Sequence, residues 1–317
     1  MSDLFLGIDT SNYTTSVALL DKNGIVANEK QLLNVKPGER GVRQSDAVFM
    51  HTTNIPVLMN KIAGFTKGNE ISAIGVSNKP RNPEGSYMPC FLAGVSAAMS
   101  VSCISQIPLH QFSHQCGHIM AAVYSSGNFE LLKKPFCAFH VSGGTTELVR
   151  VRYNGNGFDT EIVGGTLDLN AGQVIDRIGV RMGLQFPAGQ SLEKLALDYN
   201  EAVPRHRVSS KGAYVNLSGL ENLAIKLLSD TNNKNLVASF VLNHVADSLI
   251  HMCKAHTTEC GNTDFLFAGG VMSNSIIKNR IRKSGFASHF AEPALSSDNA
   301  VGVAALAMYS HYTSNII

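Results

Sequence analysis

His114 and His118 are the residues whose types and spacing most directly indicate chemistry. They stand four positions apart in the segment SHQCGHIMAA, where the pattern predicts the start of a helix. Residues i and i+4 of a helix lie on one face, about one turn apart. Two imidazoles so placed can bind one metal ion, as in HExxH metalloproteases, but Gln115 stands where those enzymes carry a glutamate base. The spacing alone leaves a second interpretation open, in which both are ordinary histidines beside a buried surface.

Two glycine pairs could bring the backbone close to a phosphate. Gly143-Gly144 lies in the turn of a predicted hairpin, and Gly269-Gly270 follows a predicted strand. Glycine lets a backbone approach a ligand closely, and the exposed N–H groups of such turns bind anions. Neither pair fits G-x-x-x-x-G-K-S/T or G-x-G-x-x-G, which argues against P-loop and Rossmann sites. Both pairs could equally be structural turns.

Two aspartates in the segment DLNAGQVID are candidates for a sugar contact. Asp168 and Asp176 flank Gly172, and Pro187-Ala188-Gly189 follows them. An aspartate at the sugar end of a nucleotide pocket accepts hydrogen bonds from ribose hydroxyls. The alternative is structural, with Asp168 as the N-cap of a helix and Asp176 facing solvent on that helix.

Composition narrows the class of protein. The chain has 317 residues, 44% hydrophobic, and a formal net charge of +2. It can bury a sizeable core in two domains or one divided domain, and its charge gives no strong sign of nucleic-acid binding without excluding a local basic face. The six scattered cysteines form no C-x-x-C pair, which favours reduced thiols. With no signal-peptide pattern and no apolar run of about 18 residues, we expect a cytoplasmic protein without a membrane partner.

The elements that position these residues include two segments of the same design. Leu4–Asp21 and Cys137–Tyr153 are each predicted to form an apolar strand, a turn of small residues and a second strand. When the turns are aligned, three pairs of positions match: Ser11 with Ser142, Thr14 with Thr145, and Thr15 with Thr146. The pattern indicates a duplicated domain, although two ordinary hairpins with shared turn chemistry would look alike.

Strand-like and helix-like segments alternate along the rest of the chain. Ile71–Ser77 and Asp264–Ala268 are predicted as strands, and Phe91–Ser102 as a helix. From Asn235 the apolar residues follow helical spacing, and Asp298 could cap a final helix that runs through the segment AVGVAALA. This order of elements indicates an α/β protein.

Eight short motifs occur in an order that resembles one family. From the N-terminus they are GIDTS, GVRQSDAVFMHTTNIPVLM, HQCGH, VSGGTTELV, DLNAGQVIDRIGVRMGLQFPAGQSLEKLA, SGLEN, FAGGVMSN and SSDNA. Over nearly its whole length the chain resembles TsaD and its archaeal and eukaryotic relatives, once called glycoprotease-like proteins. Each motif alone is weak, but eight in the family's order are specific for fold and ancestry.

The resemblance implies an α/β fold with two lobes, the actin-like ATPase fold of the sugar-kinase and heat-shock-chaperone superfamily. Each lobe would contain a mixed sheet with helices, one being a duplicate of the other. Residues 1–112 with roughly 290–317 would form the N-terminal lobe, and residues 113–289 the C-terminal lobe. A nucleotide and a metal ion would bind in the cleft between them.

The resemblance also implies two ligand sites. His114, His118 and Asp298 would hold one divalent ion, iron or zinc, for which two imidazoles and a carboxylate are a suitable ligand set. His110, one helical turn earlier, is left out of this site. The second ligand would be ATP or an acyl-adenylate. Its expected contacts are His140, Val141, Ser142, Gly143 and Gly144 on the phosphate side, Asp176 and Gly189 at the ribose and base, and Asn274 against the nucleotide.

The chain departs from the family pattern at three places. The family's first turn usually reads E-T-S-C-D-E-T, and here Tyr13 and Thr14 replace its acidic pair. Thr145 replaces the histidine of VSGGHT, and Lys79–Pro89 replaces a short glycine-proline-glycine turn with a longer segment. That insert carries Lys79 and Arg81, which could bind a phosphate or carboxylate or could simply be solvated.

The activity implied by the resemblance is transfer of a threonylcarbamoyl group from its adenylate to the tRNA adenosine beside the anticodon, with help from the metal. Partners would be tRNA and other tRNA-modification subunits of the ATP-fold and ATPase types. Two alternatives stay open: a nucleotide-binding paralogue that does not modify tRNA, and carbamoyl transfer to another acceptor. The charges that could face tRNA are Arg177, Arg181, Arg205, Arg207, Lys211, Lys278, Arg280, Arg282 and Lys283.

Overall fold

The computed structural model describes residues 3–11, 13–34, 42–292, 295 and 300–314. The chain divides into two compact units. Their bounds are Met1–Phe129, Tyr153–Asp159 and Ala294–Ile317 for the first unit, and Glu130–Arg152 and Thr160–Pro293 for the second. Residues 113–129, which the sequence assigned to the C-terminal lobe, cluster with the first unit because the helix they form packs on the last helix of the chain.

The first unit is built on a mixed sheet. Its strands and helices are β1 (Asp3–Asp9), β2 (Thr14–Asp21), β3 (Gly24–Leu32), α1 (Gln44–Ile62), β4 (Glu70–Lys79), α2 (Phe91–Ser105), β5 (Leu109–Ser113), α3 (His114–Ser126) and α9 (Ala300–Ser314). In the described residues this sheet has five strands in the order β3-β2-β1-β4-β5. The hairpin strands pair antiparallel, whereas β1, β4 and β5 run parallel.

Glycines allow helix α9 to lie unusually close to this sheet. A Cβ placed on Gly7 of β1 would come within 2.9 Å of the carbonyl carbon of Ala300, and one on Gly75 of β4 within 2.7 Å of that of Val303. Both strands are apolar and buried, with Leu4, Leu6 and Ile74 in one core cluster. Glycine is therefore required at the positions where the helix backbone meets the strands, because any side chain there would force the helix away from the sheet.

The second unit contains the other sheet. Its elements are β6 (Phe136–Val141), β7 (Thr146–Tyr153), β8 (Phe158–Thr166), α4 (Ala171–Arg181), α5 (Gly189–Leu197), β9 (Ser209–Lys211), β10 (Tyr214–Asn216), α6 (Ser218–Thr231), α7 (Lys234–Cys260), β11 (Phe265–Ala268), α8 (Ser275–Arg282) and β12 (Ser288–Phe290). Short 3₁₀ helices cover 63–66 in the first unit, 129–133 where the chain passes into the second, and 270–273 in the second. Among the described residues the sheet has seven strands in the order β12-β11-β6-β7-β8-β10-β9.

Helix α7 forms much of the core of this unit. Val237, Val241, Val245 and Leu249 are at most 1% exposed and belong to one large apolar cluster. Of the described helices, α7 is the one whose length and composition would allow it to cross a membrane, yet 72% of its most apolar window is buried inside the protein. Its apolar character is accounted for by the core that it forms.

The expected elements occur where the sequence placed them. Ile71–Ser77 lies within β4, and the predicted helix from Phe91 continues to Ser105. Each sheet also contains one of the two strand-turn-strand segments, as β1–β2 and as β6–β7, and both pairs are antiparallel. The expected N-cap at Asp298 lies outside the described residues.

Candidate functional site

The parallel strands of the first unit end at one edge, and polar residues are concentrated there. Asp9 is the last residue of β1, Lys79 the last of β4 and Ser113 the last of β5. The carboxyl ends of parallel strands are the usual place for ligand sites in open α/β sheets. Helix α3 starts from this edge, directly after β5.

The two histidines of the opening motif lie side by side on α3. Helix α3 begins at His114, and the Ser113 side chain caps it by accepting a hydrogen bond from the Cys116 N–H at 3.2 Å. This cap orients the first turn, so that the rings of His114 and His118 are 4.5 Å apart between centroids with their planes at 69°. The structure therefore brings together two of the three residues proposed as metal ligands.

Asp9 joins this pair from a position that the sequence analysis did not single out. Its Oδ1 lies 3.2 Å from Nδ1 of His114, and its Oδ2 accepts a hydrogen bond from the Ser11 hydroxyl at 2.6 Å. The Asp9 side chain is only 3% exposed. Burial opposes ionisation, but the adjacent His114 and the Ser11 hydroxyl hold the pKa of Asp9 well below its ordinary value. An ionised carboxylate only accepts, so Nδ1 of His114 carries the proton in this contact.

The third proposed ligand, Asp298, lies outside the described residues. Among residues 3–11, 13–34, 42–292, 295 and 300–314, no three His, Cys, Asp or Glu side chains are arranged to hold a metal ion. Helix α9, which begins two residues after Asp298, nevertheless meets α3 closely. A Cβ on Gly302 would lie 2.7 Å from the carbonyl carbon of Gly117, the residue immediately before His118.

His110 lies near the start of β5, away from this edge, whereas the insert begins at the edge with Lys79. His110 is on β5, stacked on Phe112 with 6.2 Å between ring centroids, and burial lowers its pKa. In the insert, the Lys79 ammonium donates to the Asn82 carbonyl at 3.2 Å, a contact within the insert itself. The insert also contacts α3, because the Gln115 N–H donates to the carbonyl of Pro80 at 3.0 Å.

In the second unit, the turn after β6 is held by a defined set of hydrogen bonds. The Ser142 hydroxyl accepts from the N–H groups of Gly144 at 3.3 Å and Thr145 at 3.1 Å, and the Ser142 carbonyl accepts from Gly172 at 3.1 Å. A Cβ on Gly172 would come within 2.7 Å of the Gly143 nitrogen. Helix α4 is thus packed directly against the glycine turn, which requires glycine at 172.

A cavity of about 500 Å³ opens beside this turn. Gly143 and Asp176 both line it, so two of the proposed adenylate contacts face one space. The Asp176 carboxylate is oriented by the Ala188 N–H, which donates to Oδ1 at 2.8 Å. Phe186, 69% exposed, also lines the cavity. An exposed aromatic ring at a cavity wall is suited to stacking on a planar base.

Glu221 places two arginines at the same cavity. Its carboxylate, 7% exposed, lies 2.8 Å from Nε of Arg177 and 3.0 Å from Nε of Arg181. All three residues line the cavity. Both arginines are among the charges that the sequence indicated could face tRNA, whereas no sequence pattern pointed to Glu221, which comes from α6. Each guanidinium is held by a nearly buried carboxylate and keeps further N–H donors for an anion.

The other residues proposed for the adenylate do not line this cavity. His140 lies on β6 opposite Glu147 and Ala268, and Val141 is fully buried. Gly144 lies in the turn itself, and Gly189 begins α5. Asn274 is 6% exposed, and its side chain caps α8 by accepting from the Ile277 N–H at 3.1 Å. The 3₁₀ helix before it contacts both β6 and α4.

Asp168 has a different role from the helix cap considered for it. Its carboxylate accepts from the Leu217 N–H at 2.7 Å and from the Ser218 hydroxyl at 2.6 Å, at the start of α6. Asn170 is the N-cap residue of α4 and makes no side-chain cap. The structural alternative, in which Asp168 caps the following helix, is therefore wrong, because Asp168 caps a helix that begins 50 residues later.

The fold places the chain in a broad class. Two mixed sheets, each containing the duplicated hairpin and each packed with helices, make it an α/β protein of the actin-like ATPase fold. HypF from T. kodakarensis is similar in structure, with a TM-score of 0.63, 14% identity, and coverage of 99% of this chain and 48% of that one. Component A of the (R)-2-hydroxyglutaryl-CoA dehydratase from Acidaminococcus fermentans has a TM-score of 0.55 at 17% identity, covering 98% and 100%.

Sequence comparison defines the family within this class. The family described as TsaD, tRNA N6-adenosine threonylcarbamoyltransferase, matches residues 25–305, and the chain belongs to it. The protein of that name from Bacillus subtilis (strain 168) is 31% identical over 320 residues, covering 95% of this chain and 88% of its own. Its counterpart from Sulfurihydrogenibium sp. (strain YO3AOP1) is 32% identical over 313 residues, covering 94% and 88%.

Proposed function

We propose that this chain transfers a threonylcarbamoyl group from threonylcarbamoyl-adenylate to the amino group of the tRNA adenosine beside the anticodon. Family membership supports a tRNA-modifying transferase. The observation that carries the specific proposal is the pair of imidazoles at the edge of the parallel strands, whose ring centroids are 4.5 Å apart, with His114 oriented by the buried carboxylate of Asp9. All six cysteines are free, which suits the cytoplasmic location that we propose for the reaction.

We propose that His114, His118 and Asp298 hold one divalent ion, iron or zinc. The described donors fit such a group, because a metal-binding histidine commonly donates its other ring N–H to a carboxylate, as Asp9 allows for His114. Nε2 of His114 is then the nitrogen that would bind the ion. In the sequence Asp298 stands four positions before Gly302, the residue of α9 that meets the α3 backbone beside His118. When bound, the ion would supply a positive charge that polarises a carbonyl or stabilises a leaving phosphate.

The adenylate is proposed to bind at the cavity of the second unit. The backbone N–H of Gly143, which lines the cavity in the Ser142–Gly144 turn, would donate to its phosphate, and Asp176 would accept from ribose hydroxyls. Phe186 would stack on the adenine. Arg177 and Arg181, held by Glu221, would complement the negative charge of the phosphate. The remaining contacts, His140, Val141, Gly189 and Asn274, are proposed to shape the surrounding backbone.

The proposed reaction exchanges one bond for another. The adenosine amino nitrogen bonds to the carbamoyl carbon, the bond from that carbon to the phosphate oxygen breaks, and AMP leaves with the electron pair. The amino group loses a proton in the same exchange. Donors fixed at the phosphate before reaction favour this step, because they stabilise the charge that develops on the leaving oxygen.

A second candidate function rests on the first turn. Tyr13 and Thr14 stand where the family usually carries an acidic pair, and Tyr13 is 38% exposed. The second candidate is therefore a nucleotide-binding paralogue that acts as a partner subunit without modifying tRNA. Transfer of the carbamoyl group to another acceptor is a related candidate, for which the Lys79–Pro89 insert is the distinguishing feature.

The test is incubation of the purified chain with threonylcarbamoyl-adenylate and unmodified tRNA, with and without partner subunits. Nucleoside analysis of the tRNA should show the modified adenosine with the wild type and with His110→Ala, but not with His118→Ala. Absence of the nucleoside under every condition would exclude the transferase. If the double variant Tyr13→Asp/Thr14→Glu alone were active, the paralogue would be the correct reading of the natural chain.

A further inference from the structure

The second unit contains another cavity, which shares no lining residue with the one beside Gly143. It encloses about 220 Å³ between the segment 203–206 and helices α7 and α8. Its lining includes four groups that can bind anions, Arg205, His206, His244 and Arg280, together with Phe240 and the carboxylate of Asp247. Arg205 and Arg280 were counted above among the charges that could face tRNA, but none of these residues belongs to the proposed adenylate or metal site.

His244 indicates that this cavity is built to hold a ligand. The residue is 6% exposed and lines the cavity, and its ring packs against Phe240 with 6.1 Å between centroids. Within the described part of the chain, its ring nitrogens make no hydrogen bond. Burial lowers the pKa of His244, although the Asp247 carboxylate opposes this effect. Neither ring nitrogen is fully buried, so both are open to the cavity and available to bond to a ligand there.

Arg280 is held rigidly at the wall of the same cavity. Its Nε donates to Oδ1 of Asp247 at 2.6 Å and its Nη2 to Oδ2 at 2.7 Å. This two-point contact fixes the plane of the guanidinium and leaves Nη1 for a ligand. Arg280 is therefore positioned before any ligand arrives, so ordering it costs no additional side-chain entropy.

An adjoining cavity extends the space outward. It has a volume of about 620 Å³ and shares Arg205, Asp247 and Arg280 with the first. Its other walls include Lys283 and the apolar side chains of Ile250 and Ile276. Neither Arg205 nor Lys283 forms an ion pair with any residue that the structure describes. The two spaces together offer a small polar chamber and a larger, partly apolar one.

The net charge of the residues that line the two cavities favours an anion with two negative charges. Counting only arginine, lysine and aspartate side chains, Arg205, Arg280 and Lys283 face a single carboxylate, Asp247, which leaves two positive charges. A phosphomonoester carries a charge of about −1.5 to −2 near neutral pH, because its second pKa is about 6. A carboxylate or a phosphodiester carries only one negative charge and would leave the site unbalanced.

We propose that these joined cavities bind a small phosphomonoester. Its phosphate occupies the inner chamber, where Arg205, Arg280 and His244 contact its oxygens, and its organic part lies against Ile250 and Ile276. Lys283 completes the charge balance at the mouth. The site is separate from the proposed adenylate cavity, so the chain has a second place at which a phosphorylated compound binds.

The experiment titrates the full chain with inorganic phosphate by calorimetry and by ³¹P NMR, then repeats the titration with ribose 5-phosphate. Arg205→Ala is the informative variant, because Arg205 is exposed and its loss leaves the core intact. We expect about tenfold weaker phosphate binding or more, as a charged hydrogen-bond donor is lost. Arg207→Ala is the matched control, since this exposed arginine lies two positions away and does not line either cavity. Its affinity should stay within about twofold of the wild type.

Other ligands and a second variant make the outcome decisive. Dimethyl phosphate, a monoanion, should bind at least about tenfold more weakly than inorganic phosphate. Arg280→Lys should also weaken phosphate binding, because a lysine cannot keep the two-point contact with Asp247. Phosphate bound instead beside Gly143 would be unaffected by Arg205→Ala, and that result would overturn the proposal. Three other results would also overturn the proposal. The first is an equal loss of phosphate affinity in Arg205→Ala and Arg207→Ala, and the second is no phosphate binding by the wild type. The third is an Arg205→Ala variant that binds tRNA more weakly but binds phosphate as the wild type does.

Discussion

The substitution Gly302→Ala tests the close packing of helix α9 against helix α3, which carries His114 and His118. A Cβ at position 302 would lie 2.7 Å from the carbonyl carbon of Gly117 and 3.0 Å from the nitrogen of Ala121. These are backbone atoms in the middle of α3, so no side-chain rotation can relieve the contact. Reaching an ordinary separation of about 3.5 Å requires the helices to move apart by roughly 1 Å.

The loss in the free energy of unfolding can be estimated from that displacement. Overpacking in a well-packed core typically costs about 1–3 kcal/mol, and the better helix propensity of alanine returns at most about 1 kcal/mol. A net loss of about 1–2 kcal/mol corresponds to a melting temperature lower by roughly 2–8 °C for a unit of this size. Because α3 carries His114 and His118, we also expect metal affinity to fall by about 10- to 100-fold.

The assay is thermal unfolding followed by circular dichroism, together with metal titration of the same samples. Gly219→Ala is the matched control, because this helical glycine in α6 has open space around its Cβ position. It should melt at the wild-type temperature or slightly above it. If Gly302→Ala melts as high as Gly219→Ala and binds metal as tightly as the wild type, the close contact between α3 and α9 does not exist as described.

Two further predictions concern thiols and pH. In the native protein at pH 8, a thiol reagent should modify the exposed Cys103 and Cys260 before the four buried cysteines. The reason is that burial raises the pKa of a thiol, in the case of Cys137 to about 12, and so lowers its reactivity. Rapid reaction of more than two thiols would contradict the burial pattern. Asp168→Asn should lower stability at pH 7 by about 0.5–2 kcal/mol, by analogy with helix caps. Burial raises the pKa of Asp168, but the Ser218 hydroxyl and backbone N–H groups hold it below its ordinary value overall. Its contribution is therefore present above about pH 4 and is lost as pH falls through the folded pKa, so wild type and variant should converge in acid; a difference that grows in acid would refute the assignment.

Local features of the site were predictable from sequence. The His114–His118 spacing correctly indicated the first turn of a helix, because the i, i+4 relation follows from helical geometry alone. The glycine turn after β6 was found in the same way, from an apolar strand followed by small residues. Alternating strand and helix segments indicated the α/β class, and the ordered motifs indicated the family.

Contacts between distant parts of the chain were not predictable by the same reasoning. Asp9 meets His114 across 105 residues, and Asp168 caps a helix 50 residues away. Glu221 meets Arg177 from a different helix. Such contacts depend on how strands and helices pack, whereas periodicity describes only neighbours along one element. The cavity between 203–206, α7 and α8 was hidden for the same reason, because its charged side chains come from separate parts of the chain.

The measurement that tests the central claim most directly is the metal content of purified protein after loading with iron or zinc and removal of unbound ions. We expect about one ion per chain in the wild type and in His110→Ala, and no ion retained in His118→Ala or Asp298→Ala. The same circular dichroism spectrum for all four proteins would show that loss of metal is not loss of fold. Full metal content in His118→Ala or in Asp298→Ala would contradict the proposed ligand set.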